Sequence, residues 1–194
     1  MIGWKFTRLF FNLLPTSPQM ITISAIVTII SKASTSHTTQ TFRHPTLSSS
    51  EHENGCRLGI DSWADTCCAG KHCYVQEFIE GKTVTASGFT SSLGSLKDLP
   101  IANVVYAYDH PHGYILLLEC NNAIYLGDKM EDSLLNPIQS EENGVRIDTR
   151  PRLYYPSSES AQSMILQDGT HLDILYDGVL PYLPVRRPTI IEAC

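Results

Sequence analysis

The chain has 194 residues, with 14 Lys and Arg against 20 Asp and Glu and a formal net charge of −6 at pH 7. At 42% hydrophobic and 18% charged, it can bury one core of ordinary size. The acidic balance argues against direct nucleic-acid binding, which needs a basic patch to displace counterions from phosphates, and six irregularly spaced Cys do not read as a disulfide scaffold.

Residues 1–31 are the most apolar part of the chain, with no charge between Arg8 and Lys32. Asn12, Pro15, Pro18 and Gln19 interrupt that stretch, and the clean run 20–30 falls short of the ~20 residues that cross a bilayer, which makes membrane contact an unfavoured expectation. Lys5 and Arg8 precede the apolar run 9–14, as in a secretory signal. Asn12 breaks the run, however, and no A-x-A site follows. A poorly ordered leader is therefore expected, with a signal or anchor as the alternative. Residues 32–54 are rich in Ser, Thr and His without apolar periodicity and read as a flexible linker.

From Gly55 onward, short apolar runs alternate with turn residues. Strands are predicted over 56–60, 74–78, 82–86, 102–108, 114–120 and 123–126. Asp109-His110-Pro111-His112-Gly113 reads as the hairpin turn between the fourth and fifth of these. Further on, 163–167 and 170–175 flank Asp168-Gly169, a two-residue hairpin signal whose Gly accepts positive φ. One helix is predicted: Asn136 can cap it, Pro137 suits its first turn, and Asn143-Gly144 stops it after about two turns. The Pro-rich piece 181–188, with Arg186 and Arg187, reads as an extended exit segment. One short helix among so many strands predicts an all-β fold, a small closed barrel or sandwich.

The informative stretch is Arg57-Leu58-Gly59-Ile60-Asp61-Ser62-Trp63-Ala64-Asp65-Thr66. A strand delivers an Asp, followed by a small hydroxyl residue, one odd residue, Ala and a second Asp. This order resembles the Asp-Ser/Thr-Gly-Ala-Asp motif of retropepsins, the aspartic proteases of retroviruses and retrotransposons. The chemistry fits the residue types. Two carboxylates about 3 Å apart cannot both ionise and share a proton; one activates a water while the other protonates the scissile carbonyl. No second Asp-Ser/Thr-x-Ala occurs in the chain, so the resemblance implies a homodimer contributing one Asp per subunit.

Downstream, Ala123-Ile124-Tyr125-Leu126-Gly127-Asp128, then Ser133-Leu134-Leu135-Asn136-Pro137-Ile138-Gln139 and Asn143-Gly144-Val145, are similar to the end of the copia-type retrotransposon protease. The resemblance implies a retropepsin-like domain over 55–148, followed over 149–194 by a β-hairpin and a Pro-rich connector. It further implies an endopeptidase that cuts its own polyprotein without metal or organic cofactor, in the cytoplasm or a retroelement particle; secretion or anchoring would require the leader to be a true signal. Asp61 would be the catalytic carboxylate and Ser62 its inter-loop hydrogen-bond partner. Trp63 and Ala64 would line the substrate floor, and Asp65 would accept a substrate N–H. The Gly- and Ser-rich piece 87–94, with Gly88, would form the flap, an ordinary loop being the alternative. The motif's usual Gly is Trp63 here, and a Trp needs room at a tight dimer axis. A second expectation therefore stands beside the first: a decayed remnant that keeps the fold as an interaction domain.

The cysteines and histidines suggest two other chemistries. Cys67, Cys68, His72 and Cys73 crowd together with Cys56 nearby, a density that can bind zinc, yet structural sites usually pair a C-x₂₋₄-C with a second pair at a distance, and Cys120 is the only later candidate before Cys194. Buried reduced thiols in strands are expected instead. A Cys–His nucleophilic pair using His110, His112 or His171 has nothing in the spacing to fix its geometry.

Overall fold

The computed structural model describes residues 6–8, 26–30, 55–64, 66–87 and 95–193. The described residues are mostly β, with two short helices. In the N-terminal region, β1 (Phe6–Arg8) pairs with β2 (Ile26–Ile30). The remainder of 1–54, which includes the linker reading and most of the leader reading, lies outside the described residues. No helix among the described residues is long and apolar enough to cross a membrane.

The main body begins with β3 (Gly55–Ile60), β4 (Cys68–Gly70), β5 (Tyr74–Ser87), β6 (Ser95–Asp109) and β7 (Ile115–Gly127). It continues through β8 (Ser133–Leu135), α1 (Pro137–Glu141), β9 (Arg146–Asp148), β10 (Ser163–Ile165), β11 (His171–Asp173), β12 (Leu175–Asp177), β13 (Leu180–Arg186) and α2 (Ile190–Ala193). Hydrogen-bonded neighbours run β7-β4-β8-β3-β13-β6, and β6 pairs back onto β7, so six strands close a ring. Two joints of the ring are narrow, Cys68 opposite Leu134 and Arg186 opposite Ala107. A smaller sheet, β11-β10-β9, packs its Met164 and Leu172 into the same core.

Strand parity builds the interior. Along β3, Cys56, Leu58 and Ile60 are buried while Arg57 and Gly59 are only partly so, the period of two that points alternate side chains to opposite faces. Leu58 lies opposite Leu183 and Cys56 opposite Val185 of β13, all four inside. The segment 180–186 is thus extended, as its Pro content suggests, but as a paired barrel strand. Tyr106 fills the middle at 1% exposure.

Several predicted runs join. The strands expected at 114–120 and 123–126 are one strand, β7, with a bulge between them. Val104 pairs with Cys120 and Ala102 with Ala123, leaving Asn121 and Asn122 opposite Asn103. Asn122 takes a φ of 56° there and donates its N–H to Asn103 Oδ1 at 2.9 Å. Asn tolerates that left-handed backbone better than a branched residue. The runs at 74–78 and 82–86 join in the same way into β5, whose register shifts between Phe78 and Thr83. The turn expected at 109–113 closes the β6–β7 hairpin, with the Gly113 N–H bonded to the His110 carbonyl at 2.8 Å.

The hairpin at Asp168-Gly169 is there, with a longer loop than the two-residue signal suggests. Gly169 donates its N–H to the Leu166 carbonyl (3.0 Å), and Leu166 to the Thr170 carbonyl (2.9 Å). Gly169 takes φ 84°, so the loop is a three-residue turn with the Gly in its left-handed position. Helix α1 follows the predicted cap: Asn136 accepts from the Gln139 N–H, Pro137 opens the helix, and Gly144 follows at φ 77°. Helix α2 was not predicted.

Candidate active site

Parity also decides where the Asp61 side chain goes. One residue past buried Ile60, it falls on the outer face shared with Arg57 and Gly59, and is partly exposed. Its main chain still belongs to the sheet, because the Asp61 N–H donates to the Leu135 carbonyl at 3.0 Å and extends the parallel β3–β8 ladder by one bond. The chain then turns. The Trp63 N–H donates to Asp61 Oδ1 at 2.9 Å, an Asx turn that orients the carboxylate by its own backbone. Ser62 and Trp63 stand in solvent at the crest, Trp63 at 90% exposure, and Ala64 is partly buried. Asp65 and Gly88 lie outside the described residues. The Thr66 hydroxyl is buried with no hydrogen-bond partner among the described residues.

On the outer face of β3 a cavity of about 260 Å3 is lined by Arg57, Gly59, Asp61, Asp132, Leu180 and Tyr182, among others. Arg57 organises it. Its guanidinium pairs with Asp177 and lies 5.3 Å from the Tyr182 ring centroid, and its backbone N–H donates to Asp132 Oδ1 at 3.0 Å. This grouping has no local signal in the sequence, because Asp132 reaches it from the turn before β8, and Asp177 and Tyr182 from β12 and β13, through long-range pairing.

The hairpin of β5 and β6 extends well beyond the ring. Residues 76–78, 80–83 and 95–98 are exposed, and the outermost pair is Ser87 with Ser95. Of the piece 87–94, where the flap was expected, Ser87 ends β5 and 88–94 lies outside the described residues.

Cysteine chemistry is muted at Cys56, Cys68 and Cys73. Cys56, Cys67, Cys73 and Cys120 are buried in one core cluster, and the described cysteines are free thiols. Burial pushes the Cys56 thiol up to about 12 and those of Cys68 and Cys73 up to about 11, with the nearby Cys67 and Asp61 charges adding to the effect at Cys68. A thiol held that high is protonated and a poor nucleophile at neutral pH. Among the described residues no three His, Cys, Asp or Glu side chains come together in a way that would hold a metal ion. His110 is engaged with backbone on both ring nitrogens, accepting the His112 N–H at 3.2 Å and contacting the His171 carbonyl at 3.1 Å. It is therefore a structural group and not the base of a Cys–His pair.

The chain matches no protein-family model, no curated protein and no solved structure.

Proposed function

We propose that this chain carries a retropepsin-like aspartic endopeptidase domain of copia-type retrotransposon lineage, acting as a homodimer on polypeptide and, in its native context, on its own polyprotein. The observation that carries the reading is the setting of Asp61. A closed six-stranded ring delivers the carboxylate at the end of β3, on an Asx turn whose crest is open to solvent. A second subunit's turn can approach only at such a place. Two equivalent carboxylates brought together across a two-fold axis share one proton and divide the roles of base and acid in peptide hydrolysis. The β5–β6 hairpin supports the flap assignment, since its outermost described pair, Ser87 with Ser95, flanks that piece of the sequence.

Trp63 favours a second reading, a decayed remnant. Its indole stands fully outside the fold beside the carboxylate, in the place where two subunits' turns would meet. Incubation of the full chain with a peptide library near pH 5 separates the two. The enzyme reading expects cleavage that is lost in Asp61→Asn and blocked by a statine-type transition-state mimic. No cleavage by a protein that dimerises would leave the interaction-domain reading in its place.

A further inference from the structure

The Asp61 turn is held at both of its ends by two consecutive residues of another segment. Leu135, at the end of β8, accepts the Asp61 N–H at 3.0 Å through its carbonyl. Asn136, the next residue, donates its side-chain N–H to the Ala64 carbonyl. Between those anchors lie only Ser62 and Trp63, both exposed, so nothing in the core holds the crest. Asn136 itself is 5% exposed and sits at φ −79°, ψ 116°, the extended backbone of a helix cap. Its Oδ1 accepts the Gln139 N–H at 3.0 Å, and its carbonyl accepts from the Ser140 backbone and hydroxyl at 3.3 and 3.1 Å. One amide group thus caps α1 with its oxygen and grips the turn with its nitrogen.

We propose that Asn136 is the positioning residue of the Asp61 turn, coupling the first turn of α1 to the placement of the carboxylate. The assignment rests on the peptidase reading only for its consequence in catalysis; the mechanical coupling stands on the contacts. The chemistry selects Asn narrowly. The position needs an acceptor for the Gln139 N–H and, from the same short side chain, a donor for the Ala64 carbonyl. Asp caps a helix equally well but, ionised, has no proton to donate and places a charge against a carbonyl. Ser also caps, but its single oxygen cannot occupy both places. The cap function alone would leave all three interchangeable, whereas the grip singles out the amide.

The test uses the full chain in a Trp4→Phe background, where Trp63 fluorescence reports on the turn alone. Asn136→Asp and Asn136→Ser preserve the cap and are expected to stay folded, with a thermal midpoint only a few degrees below that of the parent. Protection of the Asp61 and Trp63 amides against hydrogen exchange is expected to fall about five- to tenfold at pH 7, the scale of one lost buried hydrogen bond, and Trp63 anisotropy to fall with it. In Asn136→Asp both are expected to recover as the pH drops through about 4, where the introduced carboxyl gains a proton to donate; in Asn136→Ser they are not. Unchanged protection in Asn136→Ser overturns the proposal, as does an Asn136→Asp protein that folds but shows no acid recovery. If the parent cleaves peptide, kcat is expected to drop in Asn136→Ser with KM held. If it cleaves nothing while the turn responds as described, the peptidase reading fails and the positioning role stands.

Discussion

At the scale of single residues, Trp63 decides how much of the proposed chemistry survives. Its side chain has almost no contact with the rest of the fold, while its backbone N–H is the donor that orients Asp61. Replacing it by Gly keeps that donor and removes the bulk. Trp63→Gly is therefore expected to cost no more than about 1 kcal/mol, the entropy of a flexible turn residue, by thermal or denaturant unfolding. It is also expected to raise the rate of peptide cleavage above that of the parent chain. A fall in rate would mean that the indole takes part in substrate binding. The strand end and turn at Asp61 were legible in the sequence because their signals are local. Arg57, Asp132 and Tyr182 were not, because only the closed ring brings them to one cavity.

Gly70 and His110 carry the argument at the scale of elements. Gly70 ends β4 where the loop before β8 passes, and a Cβ there would lie 2.5 Å from the Met130 carbonyl oxygen and closer still to that of Asp132. The same approach lets the Gly70 N–H reach the buried Ser133 hydroxyl at 3.0 Å and the Lys71 N–H reach the Met130 carbonyl at 3.0 Å. Gly70→Ala is expected to destabilise by about 3 kcal/mol, the upper range for overpacking, measured by urea unfolding. His110 ties the β6–β7 hairpin to β11. Its Nδ1 accepts the His112 N–H, so the proton sits on Nε2, which donates to the His171 carbonyl; the ring is also stacked on Tyr114 at 4.2 Å.

Burial lowers the pKa of His110 from 6.5, with the carboxylate of Asp173 opposing and the His112 ring reinforcing that shift. A histidine held neutral in the folded state contributes stability that is complete above its unfolded value near 6.5 and is lost as pH falls through its lower folded value. Unfolding midpoints are therefore expected to decline as pH drops below 6.5, and His110→Gln, whose amide cannot titrate, is expected to remove that part of the decline. Among the elements, α1 was readable because a cap, a Pro and a Gly are local signals. The joined strands β5 and β7 were not, since the residues that look like breaks, Gly81 at φ 70° and Asn122 at φ 56°, are bulges that continue the strand.

At the scale of the whole molecule, the ring is closed by a strand from near the C-terminus. β13 pairs with β3 along five residues and touches β6 at Arg186, whose guanidinium bridges Asp109 and the nearly buried Glu192. The ring thus draws its strands from 55 to 186, because a strand's partner is fixed by pairing and not by its distance along the sequence. A chain spanning only 55–148 leaves Leu58 and Cys56 without Leu183 and Val185. It is expected to show no cooperative thermal transition, whereas 55–194 is expected to melt cooperatively. The all-β class was legible from composition and run length, with a closed barrel as one of its two expected forms; the order of the strands around the ring was not.

The central claim, that two subunits contribute one carboxylate each to a shared proton, is tested most directly by mixing. Parent chain and Asp61→Asn chain are combined at constant total concentration, allowed to exchange subunits, and assayed for peptide cleavage. A shared dyad predicts activity falling with the square of the parent fraction, so that an equal mixture retains about a quarter of the rate, since only pairs of parent subunits hold both carboxylates. A linear decline, with about half the rate retained in the equal mixture, would mean that each subunit acts alone and would contradict the account.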